Sequence, residues 1–171
     1  MAIKIGIITG ILLFLVDFFA IIPLGIVFTM GINSITGIPL YLVNYDSVQS
    51  YLWGTIDGVV GSWWIEFGET GIYSFALIQM PAIIACVLML SGSFSKSEKG
   101  KKGILVSVIM LIMVLVVTTI DMLLGGKYLG ISGAIATTDL LSALGMGYYL
   151  LIACIVLGIF TLKSHPDNVT E

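Results

Sequence analysis

Arginine is absent from this 171-residue chain, histidine occurs once, and charged residues of either sign make up only 10% of it. A soluble domain of ordinary composition carries about 25% charged residues. So few charges cannot clothe a water-facing surface when 58% of the residues are hydrophobic. The mean hydropathy is +1.14. A soluble globular fold is excluded on this ground, and so is a disordered chain. All seven cations are lysines and the formal net charge is −3. Nucleic-acid binding needs cations clustered on one face, and this balance argues against it.

Residues that carry catalysis are equally scarce. The one histidine, His165, lies in a polar tail, so a bis-histidine haem within the apolar runs is excluded. No His/Cys/Glu cluster has metal-ligand spacing, and neither a phosphate-binding glycine loop nor a GxSxG motif occurs. Cys86 and Cys154 both fall inside apolar runs, far from any CxxC pattern, and read as small buried hydrophobes. The polar loops hold no cysteine, which argues against a disulfide framework. No cofactor is expected.

What the chain does have is long apolar runs. Residues 5–30, 72–90, 104–124 and 140–162 form stretches of 26, 19, 21 and 23 residues. A membrane-crossing helix needs roughly 20 residues at about 1.5 Å each. In lipid the backbone must bond within its own segment, which requires helix. The expected fold is therefore an all-α integral membrane protein, a single bundle of four transmembrane helices. The first run is too long for a signal peptide and no A-x-A site follows it, so it reads as a retained helix.

Lysines orient the bundle. Lys4, Lys96, Lys99, Lys101, Lys102 and Lys163 fall on one side of these spans, and Lys127 alone on the other. This positive-inside bias predicts cytoplasmic N- and C-termini and places the chain in the plasma or cytoplasmic membrane. The 31–71 loop then faces outward, and the tail sequon Asn168-Val169-Thr170 is expected to stay unmodified.

Two features bear on function. Asp17 lies near the middle of the first span, where a charged group costs about 2.5–3.5 kcal/mol. It reads as a structural hydrogen-bonded acid, or as a proton or cation site. Depth counting puts Asp17, Gln79 and Tyr149 about 18, 17 and 20 Å from the inner ends of their spans, so the three could share one layer. Asp121 sits nearer the outer end of its span beside Thr118 and Thr119, and Asp139 precedes an apolar run as a helix N-cap. Pro23 and Pro81 fall inside spans, where each can kink its helix.

The second feature is the outer loop. It holds all three tryptophans, Trp53, Trp63 and Trp64, with Tyr41, Tyr45, Tyr51 and Phe67, and its charges are the acids Asp46, Asp57, Glu66 and Glu69. The choices are an aromatic belt at the headgroups, a small folded cap, or a partner-binding surface through Trp53, Trp63 and Trp64. Small residues spaced four apart, Gly6/Gly10, Ala143/Gly147 and Cys154/Gly158, let helices approach closely, within the chain or between chains.

The layout, four spans with a long first outer loop carrying Trp53-Gly54 and Gly61-Ser62-Trp63-Trp64, is similar to that of claudin-like four-span proteins. The cysteine pair that follows their loop signature is absent and the spacing differs. The likeness is one of topology and carries over no site residues.

The expected function is that of a non-enzymatic membrane protein, a small subunit or scaffold in a larger membrane assembly. It would meet the bilayer and other membrane subunits, or copies of itself, through its outer loop and small-residue helix faces. A non-catalytic place in a membrane enzyme complex fits the same features. The alternative is a proton- or cation-conducting homo-oligomer that uses Asp17.

Overall fold

The computed structural model describes residues 2–19, 21–29, 32–45, 48–52, 54–57, 63–64, 75–125 and 134–165. Trp53, Phe67, Asp46, Glu66, Glu69, Lys127 and the sequon at 168–170 lie outside them. Helix α1 spans Ala2–Phe18, and strands β1 (Ile21–Thr29) and β2 (Ile32–Pro39) follow. Next come β3 (Val43–Tyr45), β4 (Val48–Tyr51), β5 (Gly54–Asp57) and β6 (Trp63–Trp64). A π-helical turn, Phe75–Gln79, runs into α2 (Met80–Phe94), which precedes α3 (Glu98–Leu124). The short α4 (Leu140–Ala143) and then α5 (Met146–Ser164) complete the order.

The molecule is mostly helical, and three helices are long and apolar enough to cross a membrane: Phe75–Phe94, Glu98–Leu124 and Met146–Ser164. The first apolar run behaves differently from the expected helix over 5–30. Helix α1 stops at Phe18 after 17 residues, roughly 25 Å of helix. The rest of the run turns into β1, which pairs antiparallel with β2. The residues explain the change. Pro23 has no N–H to give a helix and disfavours helix in the residue before it. The register between β1 and β2 shifts between Pro23 and Gly25, the kind of irregularity those two residues allow. The all-α expectation therefore gives way to helices with two antiparallel sheets, one of order β1-β2 and one of order β3-β4-β5-β6.

The other runs also moved at their ends. Helix α2 extends to Phe94, and Pro81 is its second residue, directly after the π-turn, so its missing N–H falls where the π-turn hands over to α-helix. Pro81 thus marks the passage from π-turn to α-helix rather than a mid-span kink. Helix α3 starts six residues before the apolar run, because Ser97 accepts a hydrogen bond from the Gly100 amide and caps it. Helix α3 ends at Gly125, whose φ of 128° favours glycine. Asp139 does hold the N-cap position of α4, but its side chain makes no capping bond there. The last run breaks at Leu144, which pairs with Val43, before α5 begins.

Four helices pack as consecutive neighbours: α1 on α2, α2 on α3, α3 on α5, and α5 back on α1. Each contact carries one polar tie between helices. Cys86 Sγ on α2 donates to the Gly10 carbonyl at 3.5 Å, and Cys154 Sγ on α5 lies 3.9 Å from the Thr9 carbonyl. Ser107 Oγ on α3 donates to the Ala85 carbonyl at 2.6 Å, and the Thr119 and Tyr148 hydroxyls share a bond of 2.6 Å between α3 and α5. Such ties are individually worth about 0.6 kcal/mol in membrane helices. Most of the packing is therefore dispersion between buried apolar groups such as Leu13, Val16, Met89, Ile104, Leu111 and Leu151. The outward faces are apolar too, with Ile8, Phe14, Val87, Ile109, Val116 and Phe160 exposed.

The small residues are spent inside the chain. A Cβ on Gly6 would run into Ser93 Oγ and lie 2.9 Å from Thr161 Cγ2, and one on Gly10 would meet Leu90. A Cβ on Gly158 would lie 2.8 Å from Val108 Cγ2 and 2.9 Å from Met89 Cε. These contacts bring the start of α1, the end of α2 and the end of α5 together at one end of the molecule. Gly6→Val is expected to lower stability in detergent by about 1–3 kcal/mol, the usual cost of overpacking. Gly103→Ala, whose Cβ would sit 3.7 Å from its nearest neighbour, should leave the melting temperature unchanged or raised. Thermal unfolding of the two variants side by side checks this.

Candidate functional site

Asp17 sits in the last turn of α1 and is 1% exposed. Neither carboxyl oxygen has a hydrogen-bond partner among the described residues. Helices α1 and α2 run antiparallel, with Gly6 against Ser93 and Gly10 against Leu90. Continuing that register carries Asp17 about two turns further, to the level of residues 82–83 of α2. Ala82 there and Val16 beside Asp17 are fully buried and offer the acid no side-chain donor. Cys86 and Cys154 are buried thiols on the helices that pack against α1. Both thiols are committed to the α1 carbonyls of Gly10 and Thr9, and the Thr9 hydroxyl is turned back to the Ile5 carbonyl.

The expected layer of Asp17, Gln79 and Tyr149 is not joined by hydrogen bonds. Gln79 is half-buried in the π-turn and the Asp17 oxygens remain without a partner. Tyr149 is 47% exposed and packs edge-on against Tyr148, with ring centroids 6.4 Å apart. The inward phenol is Tyr148, which bonds Thr119. Neighbouring helix residues point about 100° apart, so a depth count alone could not tell the two tyrosines apart. Asp121 is buried on α3, one turn from Gly125, whose amide donates to the Asp121 carbonyl.

The second part of the site lies where the 21–64 segment meets α5. Gly145 N–H donates to the Leu42 carbonyl at 2.8 Å, and Gly147 N–H donates to the Tyr41 carbonyl at 3.0 Å. The first amides of a helix have no partner within it. Here an extended backbone supplies two of the missing acceptors. The fit requires glycine: a Cβ on Gly145 would strike the Tyr41 ring, and one on Gly147 would strike the Leu40 carbonyl. Leu40, Leu42 and Val43 are fully buried by this contact.

Beyond it the chain forms a meander. Leu42 N–H donates to the Ser50 carbonyl at 2.6 Å, and Val43–Tyr45 pairs with Val48–Ser50. Tyr51 is buried, stands edge-on to Tyr41 with centroids 6.5 Å apart, and donates its hydroxyl to Gln49 Oε1 at 2.9 Å. Burial, and then the neighbouring Tyr41, push the Tyr51 phenol above its ordinary pKa. Trp63 and Trp64 form β6 and pair with Ile56 and Thr55.

The sequence signal for the helix cap is the glycine pair Gly145 and Gly147 inside the 140–162 run; small-residue spacing accounts for Gly147 with Ala143 and leaves Gly145 aside. Among the described residues no three His, Cys, Asp or Glu gather as metal ligands.

An acid without partners changes what its substitutions should do. A bonded Asp17 would make Asp17→Leu destabilising, by orphaning Gln79. With no bond to lose, Asp17→Ala is expected to unfold at the parent's temperature or above, because an unpartnered buried polar group costs about 1–3 kcal/mol. Differential scanning fluorimetry of the detergent-purified variants checks it, and a fall of more than about 5 °C would show that Asp17 is bonded. Comparison with protein-family models, curated proteins and solved structures finds no match, so the function is read from these residues themselves.

Proposed function

We propose that this chain is a multi-pass membrane protein whose helices α1, α2, α3 and α5 form a four-helix bundle with both termini cytoplasmic. In that bundle α1 serves as the fourth span. It is a non-enzymatic subunit or scaffold of a larger membrane assembly. The observation that carries this reading is the clasp of residues 41–43 on the head of α5. It makes the 21–64 segment a docked platform rather than a linker, held by two backbone hydrogen bonds and three buried apolar side chains. A platform fixed to the bundle, bearing aromatic residues Tyr41, Tyr45, Trp63 and Trp64, is suited to hold a partner in register with the membrane helices. The small-residue faces at Gly6, Gly10 and Gly158 are filled from within. Partner contacts therefore fall to the platform, with Trp53 as a further candidate, and the apolar outward helix faces are left to lipid.

A second reading is favoured by Asp17. A charged carboxylate without a partner is costly to bury, and binding of a proton or a small cation at the carboxyl removes that cost. A proton- or cation-conducting homo-oligomer would use such a site, with Asp121 further along the path.

Native mass measurement of the particle extracted in mild detergent separates the two. Chains of other sequence in the particle support the subunit reading, and a closed ring of this chain alone supports conduction. Gly147→Ala should loosen the platform, so the particle loses its partners while the chain stays helical by circular dichroism. In liposomes with an internal pH dye, the subunit reading predicts no proton flux; a flux lost in Asp17→Asn would favour conduction. For topology, a cysteine placed at Ser97 should resist labelling from outside intact cells.

A further inference from the structure

At the end of the molecule where Gly6, Ser93 and Thr161 meet, three helix termini bring lysines together. Lys4 precedes Gly6 by two residues, Lys96 follows Ser93 by three, and Lys163 follows Thr161 by two. Lys99 stands in the first turn of α3 beside them. All four are exposed. Among the described residues the acid at this end is Glu98, which is taken by Lys102 at 2.8 Å, and no ion pair with Lys4, Lys96, Lys99 or Lys163 occurs there. His165 holds this end together: it is 3% exposed, and its Nε2 lies 2.9 Å from the Ser95 carbonyl oxygen. That contact fixes the end of α5 against the α2–α3 turn, and with it the spacing of the lysines.

We propose that Lys4, Lys96, Lys99 and Lys163 form a docking surface for the headgroups of anionic phospholipids. Position supports the assignment. Exposed apolar groups reach to within about a turn of these lysines on each helix, with Ile8 on α1, Phe94 on α2 and Phe160 on α5. The hydrocarbon boundary therefore falls beside them, and their ammonium groups stand at headgroup depth.

Charge supports it too. Six of the seven lysines belong to this end by sequence, against three of the ten acids, Glu98, Asp167 and Glu171. Asp17, Asp121 and Asp139 lie toward the other end of their helices or beyond it. Four exposed cations on helix termini that pack at one end carry unneutralised charge on one face, which a layer of lipid phosphates can meet. Near an anionic leaflet each lysine adds about fivefold to the association. The inference rests on the helices crossing a bilayer and is independent of the partner and of any transport.

The test uses the full chain in nanodiscs of equal parts phosphatidylcholine and phosphatidylglycerol, with native mass spectrometry counting the lipids that stay bound. Phosphatidylglycerol should be retained in preference. The fourfold variant Lys4→Gln, Lys96→Gln, Lys99→Gln, Lys163→Gln should lose that preference by about tenfold or more, while the same four changed to Arg should keep it. Circular dichroism of the Gln variant confirms that it is folded. Equal retention of both lipids by the parent, or a full preference in the folded Gln variant, would overturn the proposal alone. Failure of the parent to enter nanodiscs would overturn the membrane reading with it. Loss of the preference on adding inorganic phosphate at constant ionic strength would mean a free-phosphate site and overturn the lipid assignment.

Discussion

Two backbone hydrogen bonds, from Gly145 and Gly147 to the carbonyls of Leu42 and Tyr41, decide how one end of this protein is built. The head of a helix presents amides with no internal acceptor, and in or near lipid water is a poor substitute. An extended chain laid across that head meets the need, and it comes close enough only because both donors are glycines. Much follows from the contact. The last apolar run is broken into α4 and α5, because Leu144 is drawn into pairing with Val43. Leu40, Leu42 and Val43 are buried. The meander that starts at Val43 is thereby tied to a membrane helix instead of hanging from two linkers.

The helical end obeys a different economy. Each helix contact carries a polar tie, made by a cysteine, serine or threonine side chain that reaches a carbonyl or hydroxyl on the neighbouring helix. Asp17 departs from that pattern. It is as buried as the core leucines and bonded to nothing described. Replacing it by an apolar residue would remove a buried polar group at no loss of hydrogen bonding, so stability does not explain its presence. The other buried side-chain atom without a partner is His165 Nδ1, in a ring whose Nε2 is bonded. Among the described residues Asp17 is therefore the buried group with no bond at either polar atom, the kind of local inconsistency expected at functional sites. That observation is what favours conduction as the alternative to the subunit reading.

Much of the helical part was legible in the sequence, since apolar runs of 19 to 23 residues reappear as three long helices. Their ends were not. Ser97 capping carried α3 into the lysine-rich turn, and the clasp at Gly145 delayed α5. The first run misled because length and hydropathy outweighed Pro23 and Gly25, which turned its second half into a strand. Burial of Asp17 was foreseeable from its setting. Its lack of partners was not, because which way Gln79, Tyr148 and Tyr149 face depends on helix rotation. The clasp joins residues about a hundred positions apart in the chain. Neither periodicity nor spacing can express such a contact. Its trace in the sequence is the pair Gly145 and Gly147, of which small-residue spacing explains only Gly147, as a helix-packing residue.

The central claim is that the platform, rather than the helix faces, holds a partner. Site-specific photo-crosslinking in intact membranes tests it most directly. One probe replaces the exposed Asn44 on β3 and a second replaces the exposed Val87 on α2. The account predicts that the Asn44 probe joins a protein of different sequence, in an adduct that disappears when Gly147 is changed to Ala, while the Val87 probe reaches mainly lipid. Crosslinks from Asn44 that reach only lipid or water, with every protein adduct arising at Val87, would contradict it.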